Sequence, residues 1–261
     1  MTTASSVSEK TVEVAGCTVR LLQEGSGESL MVLHHSTGSV GWGALHEQLA
    51  KSHTVIAPDL PGYGQSTRPD WAREPRDLAI MMLRVLDKLG HDKVTLVGFG
   101  FGGFIAAEMA TMDQDRITRL VLVGAAGVKP DNGEIVDQML IDHTEYVKSG
   151  FTNDAAFERQ FGAEPSDEVK DIWDYSRIIT ARLSWSPYMF SRRLPHLLSE
   201  VETPTLIVWG EHDRTVPRDA GEKYQRLMPN ARLEIVKDAA HYVDMEQPEV
   251  LVKLIQQHAR A

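Results

Sequence analysis

Short apolar runs alternate along the chain with longer stretches in which apolar residues recur every three or four positions. The runs have the size of strands and the stretches that of amphipathic helices. "TVEVAG" and "CTVRLLQEG" predict an opening hairpin that turns at Gly16. "SLMVLHH" predicts a strand entering a polar loop, and "HTVIAPD" a strand ending at Asp59. "RDLAIMMLRVLDKLG" has helical spacing and a C-cap signal at Gly90. "DKVTLVGF" is almost wholly apolar, as a strand covered on both faces should be. A helix is predicted from Gly102 to Met112, then another buried strand in "RLVLVGAAG".

The alternation then stops. From about Lys129 to Glu202 only helical and loop patterns occur. Regular order resumes with the strand "TPTLIVWG", a helix over "RDAGEKYQRLM", the strand "RLEIVKDAA" and a last helix over "PEVLVKLIQQHA". The pattern predicts an α/β protein with a mostly parallel central sheet flanked by helices. Residues 1–128 and 203–261 form the core domain, and a helical insertion covers 129–202. In such sheets ligands bind beyond the carboxyl ends of the strands.

Composition narrows the partners. The 261 residues are 42% hydrophobic and carry a formal net charge of −10, which argues against nucleic acid and anionic membranes. The polar start "MTTASSVSEK" lacks a signal core, no apolar run is long enough to span a membrane, and Cys17 is the one cysteine. These features suggest a cytoplasmic protein, monomeric or homodimeric, acting on a small molecule. The ten histidines form no metal-ligand motif, so neither metal nor cofactor is expected.

Three strand ends carry chemistry. "GFGFGG", Gly98 to Gly103, packs small residues around a strand-to-helix turn, where a backbone N–H at the helix start can stabilise an anion. "WGEHDRTVP" puts Asp213 just past a buried strand, and "DAAHYVDMEQP" puts His241 just past the last one. An Asp and a His in that order after a glycine-rich elbow can form a hydrogen-bonded pair, the Asp fixing the imidazole tautomer.

With these motifs, and with "VIAPDLPGYGQS", the chain resembles the α/β-hydrolase-fold superfamily over nearly its whole length. It is most similar to the capped group that includes carbon–carbon bond hydrolases, lactonases and esterases. The resemblance implies an α/β-hydrolase fold with a helical cap, Asp213 as triad acid and His241 as triad base. It implies Phe101 N–H as one oxyanion-hole donor. The second donor comes from "LHHSTGS": His34 matches the family's His, His35 stands where Gly is usual, and Ser36 falls at the donor position.

Gly100 is the larger departure. The family pattern has Ser there, or Cys or Asp in subgroups, and glycine cannot attack a substrate. Three readings follow. Gly100 replaces the nucleophile of an ordinary serine hydrolase; or the chain is a non-catalytic ligand binder on the same fold; or His241 activates water or the substrate itself. The third is adopted as the working reading: a hydrolase of a small, apolar carbonyl compound such as an ester, lactone or diketone. Ser36, Thr37 and Ser39 could offer a loop hydroxyl, although their ordinary role is hydrogen bonding within a turn. Trp185, Tyr188 and Met189 of the insertion, with His34 and His35, are the substrate-pocket candidates. Arg192 and Arg193 could meet a substrate carboxylate or pair with neighbouring acids. Asp59 and Asp244 read as loop stabilisers.

Overall fold

The computed structural model describes residues 7–260. The hairpin strands β1 (Ser8–Val14) and β2 (Cys17–Glu24) meet across Ala15 and Gly16, both at positive φ, as a tight two-residue turn requires. The chain continues through β3 (Glu28–Leu33), α1 (Ala44–Ala50), β4 (His53–Pro58), α2 (Pro75–Leu89), β5 (Val94–Phe99), α3 (Phe101–Ala110) and β6 (Ile117–Val123). Four helices follow: α4 (His143–Ser149), α5 (Asp154–Phe161), α6 (Asp167–Ser184) and α7 (Leu194–Leu198). The last part is β7 (Thr205–Gly210), α8 (Arg218–Leu227), β8 (Ala231–Val236), α9 (Val243–Glu246) and α10 (Pro248–Arg260).

The eight strands form one sheet in the order β1-β2-β4-β3-β5-β6-β7-β8. The pairs β1–β2 and β2–β4 are antiparallel, and all others are parallel. Side chains alternate across the pleat, so each strand feeds two cores. Met31, Leu33, Leu96, Leu122 and Trp209 face α2, α3 and α8. Val32, Val97, Phe99, Val123 and Val208 face α1 and α10. Covered on both sides, the central strands have no polar face to show, which explains their unbroken apolar spelling.

Element boundaries differ slightly from the sequence expectation. Helix α3 begins at Phe101, one residue early, because Gly100 is its N-cap. Strand β8 stops at Val236, and Asp238 turns the chain at φ 54°. Helix α1 was not anticipated; it is seven residues long and buries only Leu45 and Leu49, too little for a periodic signal. Among the described residues no helix is long and apolar enough to cross a membrane.

Candidate active site

The elbow joins β5 to α3 at Gly100, with φ 51° and ψ −110°. Side-chain-bearing residues adopt such a backbone only at a cost of about 1–3 kcal/mol, which glycine avoids. The flanking glycines are required by contact. A Cβ at Gly98 would overlap the backbone of Gly102 and Gly103, one at Gly103 the side chain of Ala125, and one at Gly102 the carbonyls of Leu33 and His34. The Gly102 N–H donates to His34 O at 3.1 Å and fixes the β3 loop against the elbow.

Asp213 and His241 follow β7 and β8. His241 Nδ1 lies 2.9 Å from Asp213 Oδ2, and both side chains are almost fully buried. The other carboxylate oxygen, Oδ1, accepts from the N–H groups of Thr215 and Val216, each at 2.9 Å. This carboxylate therefore holds the imidazole with its proton on Nδ1 and the Nε2 lone pair free. Nε2 points at the elbow: a Cβ on Gly100 would lie 3.1 Å from it. Gly124, just past β6, completes the frame, because a Cβ there would crowd His241 Nδ1 at 3.1 Å and Asp213 Oδ2 at 3.3 Å. Sequence reasoning missed Gly124; its place after an apolar strand was the available signal.

The two histidines of the β3 loop differ. His34 is structural: Nδ1 lies 2.7 Å from its neighbour's carbonyl, His35 O, and Nε2 accepts from Leu60 N–H at 3.0 Å. Burial lowers its pKa. His35 is 4% exposed and lies between Phe99, with centroids 5.4 Å apart, and Tyr242, at 4.7 Å. His35 Nε2 meets Asp244 Oδ1 at 3.0 Å. Its Nδ1 has no hydrogen-bond partner in the protein and would lie 3.0 Å from a Cβ on Gly100. Burial lowers the His35 pKa first; repulsion from His241 adds to this, and Asp244 and Asp213 oppose it. Asp244, read as a loop stabiliser, thus holds a side chain 209 positions away in sequence. Asp59 does tie its loop, accepting from Gln65 N–H at 3.0 Å.

Phe101 N–H occupies the first position of α3, where no intrahelical acceptor exists. Ser36 is buried, and its carbonyl accepts from Thr180 Oγ1 at 3.1 Å, joining the loop to α6. Tyr63 reaches the same Thr180 hydroxyl at 2.7 Å. Tyr188 is half-buried, with its hydroxyl donating to Val136 O and accepting from Gln138 N–H. Met189 is buried, its sulfur 3.3 Å from the Ser184 hydroxyl. Trp185 stands apart: it is 58% exposed and lines an open cleft with Arg76 and Arg192, away from the buried imidazoles. Arg193 pairs with Glu74 at 3.4 Å. Cys17 is buried in β2.

The alpha/beta hydrolase family model matches residues 31–254, and the chain belongs to that family. It is 29% identical to a 2-hydroxymuconate semialdehyde hydrolase of Pseudomonas sp. (strain CF600), over 92% of this chain and 90% of that one. It is also 29% identical to a 2-hydroxy-6-oxononadienedioate/2-hydroxy-6-oxononatrienedioate hydrolase of Pseudomonas putida, over 90% and 88%. Among solved structures, a 2-hydroxy-6-oxo-6-phenylhexa-2,4-dienoate hydrolase from Rhodococcus sp. strain RHA1 superposes with a TM-score of 0.79 at 20% identity, covering 98% and 99% of the two chains.

Proposed function

We propose that this chain is a hydrolase of a small, largely apolar carbonyl compound, an ester, lactone or diketone, that attacks with water instead of a side chain. The observation that carries the reading is the 3.1 Å between His241 Nε2 and the Cβ position of Gly100. The histidine is aimed as a general base at a place where this chain has no atom to deprotonate. A water standing in the space that the missing side chain leaves, clear of the Gly100 backbone, is within reach of that base. The relatives support the substrate class: those named above hydrolyse small unsaturated oxo compounds by name, and they align along nearly the whole chain.

In the proposed reaction, water adds to the substrate carbonyl as His241 Nε2 takes one of its protons. Asp213 stabilises the resulting imidazolium. The N–H groups of Phe101 and Ser36 receive the developing oxyanion. As the intermediate collapses, the imidazolium returns its proton to the leaving group. Residues 129–202 act as the cap over the core formed by 1–128 and 203–261, with Tyr188, Met189, His34 and His35 near the substrate. The protein works in the cytoplasm, as a monomer or homodimer, without a cofactor.

Magnitudes restrict the substrate. Removing the nucleophile of a serine triad costs roughly 10⁶ in turnover, and oxyanion stabilisation with binding retains roughly 10³–10⁴ over water. Such a site suits activated carbonyls. The test compares wild type, Gly100→Ser and His241→Ala on activated esters, lactones and β-diketones. Wild type should turn over at least one compound without an acyl-enzyme burst, and His241→Ala should lose about 10²–10⁴ of that rate. Binding with no turnover, in a protein that Gly100→Ser makes active, would sink the reading in favour of a silenced serine hydrolase.

A further inference from the structure

Two His–Asp pairs converge on Gly100. His241 is held by Asp213 through Nδ1, and His35 is held by Asp244 through Nε2. Each imidazole thereby turns its other nitrogen to the same point. A Cβ carried by Gly100 would lie 3.0 Å from His35 Nδ1 and 3.1 Å from His241 Nε2, so both nitrogens border the space its missing side chain leaves. The imidazole centroids are 5.2 Å apart, with ring planes inclined by 58°.

A histidine that donates to a carboxylate through one nitrogen offers a bare lone pair on the other. His35 Nδ1 is such an atom, nearly inaccessible to solvent and with no partner in the protein. Leaving a buried acceptor unmade costs about 1–3 kcal/mol, so a native structure that keeps one needs a reason. Two acceptors aimed at one point call for a ligand with two donors. Water is the smallest, and the space in front of Gly100 that a side chain would fill borders both nitrogens.

We propose that Gly100, His35 and His241 form a site for a single water that donates one hydrogen to each imidazole, making His35–Asp244 a second catalytic base pair. The proposal deepens the water-attack reading above and rests on it for its chemistry. With both hydrogens engaged, the oxygen lone pairs are left for the carbonyl carbon. The two protons then leave in separate steps. On attack, the carbon–oxygen bond forms and the first proton passes to His241, which later delivers it to the leaving group. On collapse, the carbon–leaving-group bond breaks, the carbonyl reforms, and the second proton passes to His35. The products are a carboxylate, the protonated leaving group and one proton for solvent.

The assignment of roles follows from exposure. Asp213 is fully buried, so the proton on its histidine stays in the site. Asp244 is 14% exposed, which gives the second proton a way out. Two imidazolium rings at this spacing repel, so His35 accepts only after His241 has discharged.

Structure and spectroscopy on the whole protein test the site without any substrate. High-resolution crystallography at neutral pH should show one water within about 3.2 Å of both nitrogens. Gly100→Ala should lose it, because its Cβ would intrude on the space that both nitrogens border. Long-range ¹H–¹⁵N spectra should place the His35 proton on Nε2 and the His241 proton on Nδ1. A His35 proton on Nδ1, or a water bonded to one imidazole alone, overturns the proposal. Kinetics then use whichever panel compound wild type consumes. His35→Asn retains an acceptor near Nδ1 but cannot take up a proton. It should lower kcat about 10²-fold with little change in KM and change the acid limb of the pH profile. An unchanged kcat overturns the base role. If no compound is consumed, the hydrolase reading fails, and the water and tautomers still decide whether the site exists.

Discussion

The two His–Asp pairs use the same side chains but rest on different supports. Asp213 sits in a tight loop, with both oxygens engaged by three donors and no exposure. Asp244 sits on the short helix α9, partly open to solvent, with its one bonded oxygen on His35. His241 is anchored by its backbone as well, since its N–H donates to Gly150 O at 2.9 Å. His35, besides its bond to Asp244, is held by ring contacts with Phe99 and Tyr242. A histidine locked through its carboxylate keeps one tautomer under load. One locked by packing keeps its orientation and can exchange protons more freely.

The comparison can be broken at several points. Asp213→Asn should be the most damaging, because an amide can hold the ring in the wrong tautomer; a loss of about 10⁴ in kcat is expected. If Asp244→Asn proved equally harmful, the ranking of the pairs would fall. Phe151→Ala removes a ring stacked 5.0 Å from Tyr242, the residue that touches both imidazoles. It should cost about 3 kcal/mol, read from urea unfolding, and weaken both pairs together. Asp244→Asn should lower kcat only about tenfold, because the ring contacts still hold His35 and solvent can replace part of the carboxylate's role.

The smallest effect is in pH. Burial lowers the pKa values of His34 and His35, so the folded chain refuses protons that the unfolded chain accepts. Their contribution to stability is complete above the unfolded value near 6.5 and is lost as pH falls through the lower folded values. Unfolding midpoints should therefore drop between pH 7 and 5, and less steeply in His35→Asn. An equally steep drop in that variant would show His35 to be protonated in the folded protein.

The fold was readable because the central strands are apolar on both faces and the longer helices α2, α8 and α10 show a helical period. The Asp213–His241 pair was readable because both residues follow apolar strands, and strand ends meet at one edge of a parallel sheet. The His35–Asp244 pair was not. Its members lie in loops far apart in sequence, and nothing local marks an Asp that will meet a distant imidazole. His35 carried a hint, an imidazole where the family usually has glycine. An aromatic-rich segment reads the same whether its rings face a substrate, line an exposed cleft, as Trp185 does, or pack within the protein, as Trp173 of α6 does against Phe157 and Phe161 of α5.

The Gly150 carbonyl accepts from the N–H groups of His241, at 2.9 Å, and of Tyr242, at 3.3 Å. Gly150 belongs to the turn between α4 and α5. The turn that closes α4 and the backbone of the base therefore share one anchor, and a shift of that turn would carry His241 with it.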